Sequence, residues 1–234
     1  VLPPDVHVLF ANTGKERSET LDFVHAVATR WDVRVRWLEL HVFKWAERPA
    51  AVDAETYLAS TTTSGDGAMV RMVYRHAVST RAPVLCHSYR EVSYETASRA
   101  GEPFEAMTRA RSFLPNPVMR ICTQELKIRP MKKFAMHALG FEHWTNVIGL
   151  RADERRRVAK TLAPNAERWE NTTPLATAGV TVQDVAAFWA KQPFDLQLRT
   201  HEGNCDLCFL KGRGKIERIM RARPGLATWW VDQE

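Results

Sequence analysis

Three of the four cysteines in this 234-residue chain constrain its fold more than any other feature. Cys205 and Cys208 form a C-x-x-C knuckle within His201-Glu202-Gly203-Asn204-Cys205-Asp206-Leu207-Cys208. A tight turn in such a motif brings both sulfurs to one side, so two thiolates can converge on one ion or cluster. Gly203, just before it, offers the backbone freedom such a turn needs. Cys122 stands 83 positions upstream, in Arg120-Ile121-Cys122-Thr123-Gln124-Glu125-Leu126-Lys127-Ile128-Arg129-Pro130. For it to close the same site, the fold must carry both ends of that span to one place.

The chain is long enough for one large domain, or for a core domain with a small appendage. No apolar stretch approaches the ~18 residues of a membrane-spanning helix. The start, Val1-Leu2-Pro3-Pro4, lacks the basic and then apolar pattern of a signal peptide. Four cysteines in a chain of this size favour a reducing compartment over a disulfide scaffold. The expected location is therefore the cytoplasm, with no membrane partner. A net charge of +6 and a pI of about 9.3 favour an anionic partner such as a nucleotide, a sulfate ester, tRNA or DNA. A basic protein with no nucleic-acid role would have the same balance.

Val6 to Ala11 reads as a short buried strand ending at Asn12-Thr13-Gly14, and a helix opens at Ser18 or Glu19. Val33 to Leu40 alternates like a second strand. Strand, helix and strand in this order predict a βαβ unit and a parallel sheet. Ala59 to Gly67 reads as a loop and Ala68 to Val78 as a helix. Cys86 sits at a strand end, and Ser88 to Arg111 reads as a loop and a charged helix. A helix is expected to start near Arg129-Pro130, proline being tolerated in a first turn. Trp144 to Leu150 reads as a strand running into a basic loop, Arg151 to Arg157. Pro164 to Pro174 reads as a linker, and Thr181 with Asp184 caps a helix through Lys191. Trp229-Trp230 suggests packing up to the end of the chain.

Four blocks, in order, carry a resemblance to the phosphoadenylyl-sulfate (PAPS) reductase family, most of all to its phage-encoded members. This family lies within the adenine-nucleotide alpha-hydrolase (PP-loop ATP pyrophosphatase) superfamily. The blocks are Leu9 to Gly14 with Glu19-Thr20 and Phe23, Cys122 to Pro130, Gly149-Leu150-Arg151-Ala152-Asp153-Glu154, and Asp184-Val185 to Cys208. The resemblance implies a three-layer α/β/α fold with a mostly parallel sheet and a C-terminal cysteine-knuckle segment. Residues 1–160 would form the nucleotide-binding core, and 161–234 a helical segment packed on it. Asn12, Thr13, Gly14 and Glu19 would meet the nucleotide, with Asn12 where the family often has Asp. Glu19 would equally serve as a first-turn carboxylate that complements the helix dipole. Arg151, with Arg155, Arg156 and Arg157, would clamp a phosphate or sulfate, although a charged solvated turn reads the same way. Lys127 and Arg129 would add positive charge beside the cysteines.

Three departures bear on chemistry. Cluster-bearing members of the family hold a 4Fe–4S cluster on four thiolates. Here Ile121 replaces the first, so Cys122, Cys205 and Cys208 would leave one iron open or capped by another ligand, His201 or, less directly, Cys86. Zinc, or plain buried thiols, are the alternatives. The superfamily's phosphate loop, SGGxDS, is not found ahead of Val6, and Ser64-Gly65-Asp66-Gly67 is no substitute. No cysteine follows Cys208, so the C-terminal nucleophile of the thioredoxin-dependent reductases has no counterpart. The expected function is an oxidoreductase or sulfurtransferase that binds ATP, an adenylated nucleotide or a sulfonucleotide, and takes electrons from a donor the sequence does not name. Its alternatives are sulfur insertion into tRNA or DNA, and a non-catalytic, metal-stapled module that binds nucleic acid. No residue is assigned a catalytic role.

Overall fold

The computed structural model describes residues 2–44, 85–199 and 201–234, with the side chains of Lys44, Leu85 and Cys86 left aside. The expected loop over 59–67 and helix over 68–78 lie outside these residues. The chain divides into two compact units. The first holds described residues 2–44, 85–134 and 196–234; the second holds 135–195. Residue 160 thus lies inside the second unit, and of residues 161–234 the part from 196 onward groups with the N-terminal strands.

In the first unit, β1 (Val8–Asn12) leads through a turn to α1 (Ser18–Arg30) and on to β2 (Val35–Lys44), the anticipated βαβ order. β1 and β2 are parallel, with Val8 opposite Val35 and Asn12 opposite Glu39. β3 (Leu85–Val92) then pairs antiparallel to β2, setting Glu39 opposite Arg90. The sheet of described strands, ordered β1-β2-β3, is therefore mixed where a mostly parallel one was expected. A helical crossover such as α1 enforces parallel pairing, but nothing in the residues of β3 encodes its direction.

β2 is the spine of the unit. Trp37 joins Leu21 of α1 and Ala97 in one apolar cluster. Leu40, of opposite parity and so on the other face, joins Phe104, Met107 and Leu126 in a second. Phe104 and Met107 come from α2 (Glu102–Arg111). Leu126 lies in a π-turn (Gln124–Ile128) set between α3 (Ile121–Thr123) and α4 (Arg129–His137). The helix expected to begin near Arg129 thus begins at Ile121. Pro130 cannot donate to the Leu126 carbonyl, and the wider turn just before it accommodates the missing bond. α8 (Arg213–Ala222) and α9 (Leu226–Val231) complete the unit, Trp229 and Trp230 of α9 packing edge-on to Phe104.

In the second unit, β4 (Trp144–Val147) pairs parallel with β5 (Trp169–Thr172), a strand inside the stretch that reads as a linker. Four residues are too few to show a period, and the strand is marked mainly by Trp169 against Trp144, ring centroids 5.3 Å apart. Between them α5 (Arg155–Leu162) takes in Arg155, Arg156 and Arg157, which read as loop. α6 (Pro174–Thr177) and α7 (Val182–Trp189) follow, and Thr181 and Asp184 form the anticipated capping box.

Candidate functional site

The loop after β1 is built from within. Asn12 is fully buried, and its Nδ2 donates to Glu39 Oε1 at 2.7 Å and to the Ser98 carbonyl at 2.8 Å. Glu39 also accepts from the Ser98 amide and hydroxyl and, on Oε2, from Arg90 Nε and Nη2. Asn12, Glu39 and Arg90 stand side by side on three adjacent strands, as the register dictates. The Thr13 amide and hydroxyl both donate to Glu16 Oε2 at 2.7 Å. Gly14 adopts φ +74°, and a Cβ there would stand 2.9 Å from Pro103 and 3.1 Å from Gly101. Asn12 and Thr13 thus spend their side-chain hydrogen bonds on the protein itself. Any nucleotide contact with this loop falls to its backbone or requires those bonds to open. Burial would raise the Glu19 carboxyl, but a backbone hydrogen bond and then Arg223, whose Nη2 donates to it at 2.9 Å, outweigh burial and lower it.

The knuckle docks on this loop. Glu16 and Cys205 form an antiparallel bridge, the Arg17 amide donates to the Asn204 carbonyl, and the Asp206 amide donates to the Lys15 carbonyl. Arg17, only 1% exposed at its side chain, faces Glu202 at 3.3 Å and Asp206 at 3.7 Å. Lys15 faces Asp206 at 3.7 Å and lies 4.4 Å from the centre of the Trp229 ring. Leu207, between the two cysteines, takes the left-handed conformation that closes the turn (φ 35°), so the freedom expected of Gly203 is exercised inside the motif instead.

Cys122 reaches the same neighbourhood from the helical turn before the π-turn, packed against the Leu40 cluster beside Ile121. Burial first, then the nearby Cys208, pushes its thiol up. Cys205 is pushed up to about 12 by burial, then by Glu16 and Cys208, with Lys127 and Lys211 pulling the other way. All three cysteines are free and half-buried. Among the described residues no three His, Cys, Asp or Glu side chains converge as a metal-ligand group, and His201 completes none. In donor chemistry the three thiols fit a thiophilic centre, whose charge would remove the protons that burial now favours. The backbone of Cys86, in β3, pairs with Phe43 of β2, and its side chain lies outside those described.

Lys127 Nζ stands 3.7 Å from Glu16 Oε1, the residue whose backbone bridges Cys205. Arg129 instead turns to Glu125, its Nη1 donating at 2.6 Å. Glu125 also binds Arg111 and, at 2.9 Å, His87 Nδ1. Burial alone would raise its carboxyl, but the His87 bond and the charges of Arg129 and Arg111 outweigh it and hold the group at about 2. No sequence pattern marks this cluster, since its members come from three distant segments.

The second unit holds the basic stretch. Arg151 is satisfied locally: Nε and Nη2 donate to Asp153, Nη1 pairs with Glu154, and its amide donates to Glu154 Oε2. Arg157 pairs with Glu154 as well, while Arg155 and Arg156 are exposed in the first turn of α5. An anion at Arg151 would have to displace Asp153. The same unit has a groove of about 760 Å³ lined by Trp144, Trp169, Asn171, Thr161, His143 and Arg168.

The site therefore belongs to a mixed α/β chain in which a dithiol knuckle and a third cysteine gather at the loop ending the first strand. No family profile matches the chain, and no solved structure matches it. Among known proteins it is similar to an uncharacterized nin region protein, ORF290, of Escherichia phage lambda, 27% identical over 222 residues. That alignment covers 95% of this chain, which spans 62% of the length of the phage protein. Among the described residues no helix is long and apolar enough to cross a membrane.

Proposed function

We propose that the chain is an enzyme of sulfur chemistry similar to the PAPS reductases. It would bind an adenine nucleotide or adenylated substrate beside an iron–sulfur cluster held by Cys122, Cys205 and Cys208. Around this site we infer the three-layer α/β/α fold of the adenine-nucleotide alpha-hydrolases, a reading supported by the apolar clusters on opposite faces of β2. One observation carries the functional reading. Three sequence blocks that lie far apart meet at Glu16, whose backbone bridges Cys205 and whose carboxylate faces Lys127, five residues beyond Cys122.

The bound cluster would supply thiolate-ligated iron with one position free for a sulfur ligand. The chain's own residues set the field around it. Lys127 and Lys211 offset the charge of ionised thiolates at Cys205, and Lys211 Nζ anchors the knuckle through the Cys205 carbonyl at 2.6 Å. Lys15, buried between Asp206 and Trp229, adds a third cation at the strand-end loop.

Anaerobically purified protein should be brown, with broad absorbance near ~400 nm from thiolate-bound iron. Cys122→Ser, Cys205→Ser and Cys208→Ser should each lose the iron, and Cys86→Ser should keep it. Colourless protein holding one zinc per chain would replace the cluster by a zinc knuckle. Loss of iron in Cys86→Ser would show four-cysteine ligation and end the open-position reading. A nucleic acid as sulfur acceptor is the second reading, favoured by the cations gathered on α8 directly after the knuckle.

A further inference from the structure

We infer that the outward face of α8 is a docking surface for the phosphate backbone of a nucleic acid. Residues 211–223 hold six cationic residues, Lys211, Arg213, Lys215, Arg218, Arg221 and Arg223, against one acid, Glu217. That is a formal +5 in thirteen residues of a chain whose total is +6. The basic character of the molecule is therefore almost entirely local, which composition alone conceals.

Not all six cations are available. Lys211 is spent on the knuckle and Arg223 on Glu19. Arg213 pairs with Glu217 at 2.7 Å on the open surface, its side chain 93% exposed. Lys215, Arg218 and Arg221 are exposed and have no ion pair among the described residues. The helix explains their placement. Ile219 points inward, 1% exposed, with Ile216 half-buried beside it. At 3.6 residues per turn, Arg221 lies nearly opposite Ile219 and Arg218 about a quarter-turn round from it, while Lys215, four positions earlier, starts on the side of Ile219 and is exposed along the edge of the buried stripe. Neighbours three apart lie about 5–6 Å from one another, and the row from 215 to 221 rises about 9 Å, enough to follow several phosphates. The first turn has no side-chain cap, and nothing lies within 4 Å of a Cβ placed at Gly212 or Gly214. Its free amides are open to a phosphate as well.

A basic helix can also lie on an anionic membrane, but that requires its apolar face to enter lipid. Here Ile219 is already committed to the protein core. A phosphate backbone asks only for the cations, and unpaired cations are what this face offers. The inference is independent of what the knuckle holds.

The test is fluorescence anisotropy of the full chain, without added nucleotide or metal, against a labelled folded RNA and a labelled duplex DNA. Vesicles of phosphatidylserine form a third arm. Three phosphate contacts predict a log–log salt slope of about −2.7 on duplex, or a weakening of about 40-fold between 50 and 200 mM salt. The triple variant K215Q/R218Q/R221Q should bind at least about tenfold more weakly at low salt, with a slope shallower by about 2.7. Glu217→Gln frees Arg213 and should act in the opposite direction, tightening binding and steepening the slope by about 1. Because all four side chains are on the surface, circular dichroism should show every variant folded. Whichever nucleic acid binds more tightly names the partner's type, and either upholds the inference. Unchanged affinity and slope in the triple variant, no binding to RNA or DNA, or tighter binding to vesicles than to both would overturn it.

Discussion

Asn12 is held by neighbours that suit an amide and not a carboxylate. Its amide nitrogen donates to Glu39 and to the Ser98 carbonyl in a fully buried setting. An aspartate would set a second oxygen against those acceptors and a second negative charge against Glu39. Asn12→Asp should therefore cost about 3–5 kcal/mol at neutral pH, the usual penalty for breaking a buried polar contact and leaving charge unpaired. The pair could relieve itself by sharing a proton, which raises its folded-state pKa above the ordinary carboxylate value. The unfolded chain gives up that proton at lower pH than the folded one does, so the deficit relative to Asn12 is smallest at acid pH and widens as pH rises. Urea unfolding of both proteins at pH 4.5 and pH 7.5 checks this. An equal deficit at the two values would show that a carboxylate's charge at this position is not what the site resists. The identity of residue 12 was legible in the sequence; the reason for it was not, because Glu39 and Ser98 become its neighbours only through strand register and a returning loop.

Among elements, those with a local signal were legible. β1, α1 and β2 follow from apolar runs and a helical period, and the Thr181–Asp184 box marks the start of α7. The antiparallel sense of β3, the four-residue β5 and the π-turn were not, since each is set by what packs against it rather than by its own residues. The seam between α2 and α9 is of the same kind. Gly101, at the start of α2, has φ +101°, and a Cβ there would lie 2.7 Å from the Trp229 ring. That ring is held edge-on by Phe104 and Trp230, so it has little room to retreat. Gly101→Ala combines an unfavourable backbone conformation with overpacking and should destabilise the chain by about 2–4 kcal/mol. The midpoint of guanidinium unfolding, followed by tryptophan fluorescence, reports it. A midpoint unchanged from that of the parent chain would mean that α9 yields freely and that the seam is not close-packed.

At the scale of the whole chain, the knuckle is fastened to the first strand-end loop by charges as well as by backbone bonds. Arg17 places a guanidinium at the positive end of α1, an unfavourable position unless anions oppose it. Glu202 and Asp206, nearly two hundred residues downstream, supply them. None of the three Arg17 nitrogens makes a hydrogen bond of good geometry, so the attachment is one of charge in a buried setting. The cysteine spacing suggested that residues far apart in the sequence come together. It did not anticipate this clamp, because an isolated Arg or Glu in a sequence does not indicate its partner. Removing one member of a buried ion pair usually costs about 3–5 kcal/mol, much of it from the charge left behind. Arg17→Met should therefore destabilise the chain by about 3 kcal/mol, and Glu202→Gln by less, because Arg17 would keep Asp206. The double variant should be more stable than the sum of the two losses by about 1 kcal/mol or more, the coupling expected of groups in direct contact. Guanidinium unfolding of the four proteins measures it. Additivity within about 0.3 kcal/mol would show that Arg17 and Glu202 act independently. The knuckle would then be held to the loop by the Glu16–Cys205 bridge and its flanking amides alone.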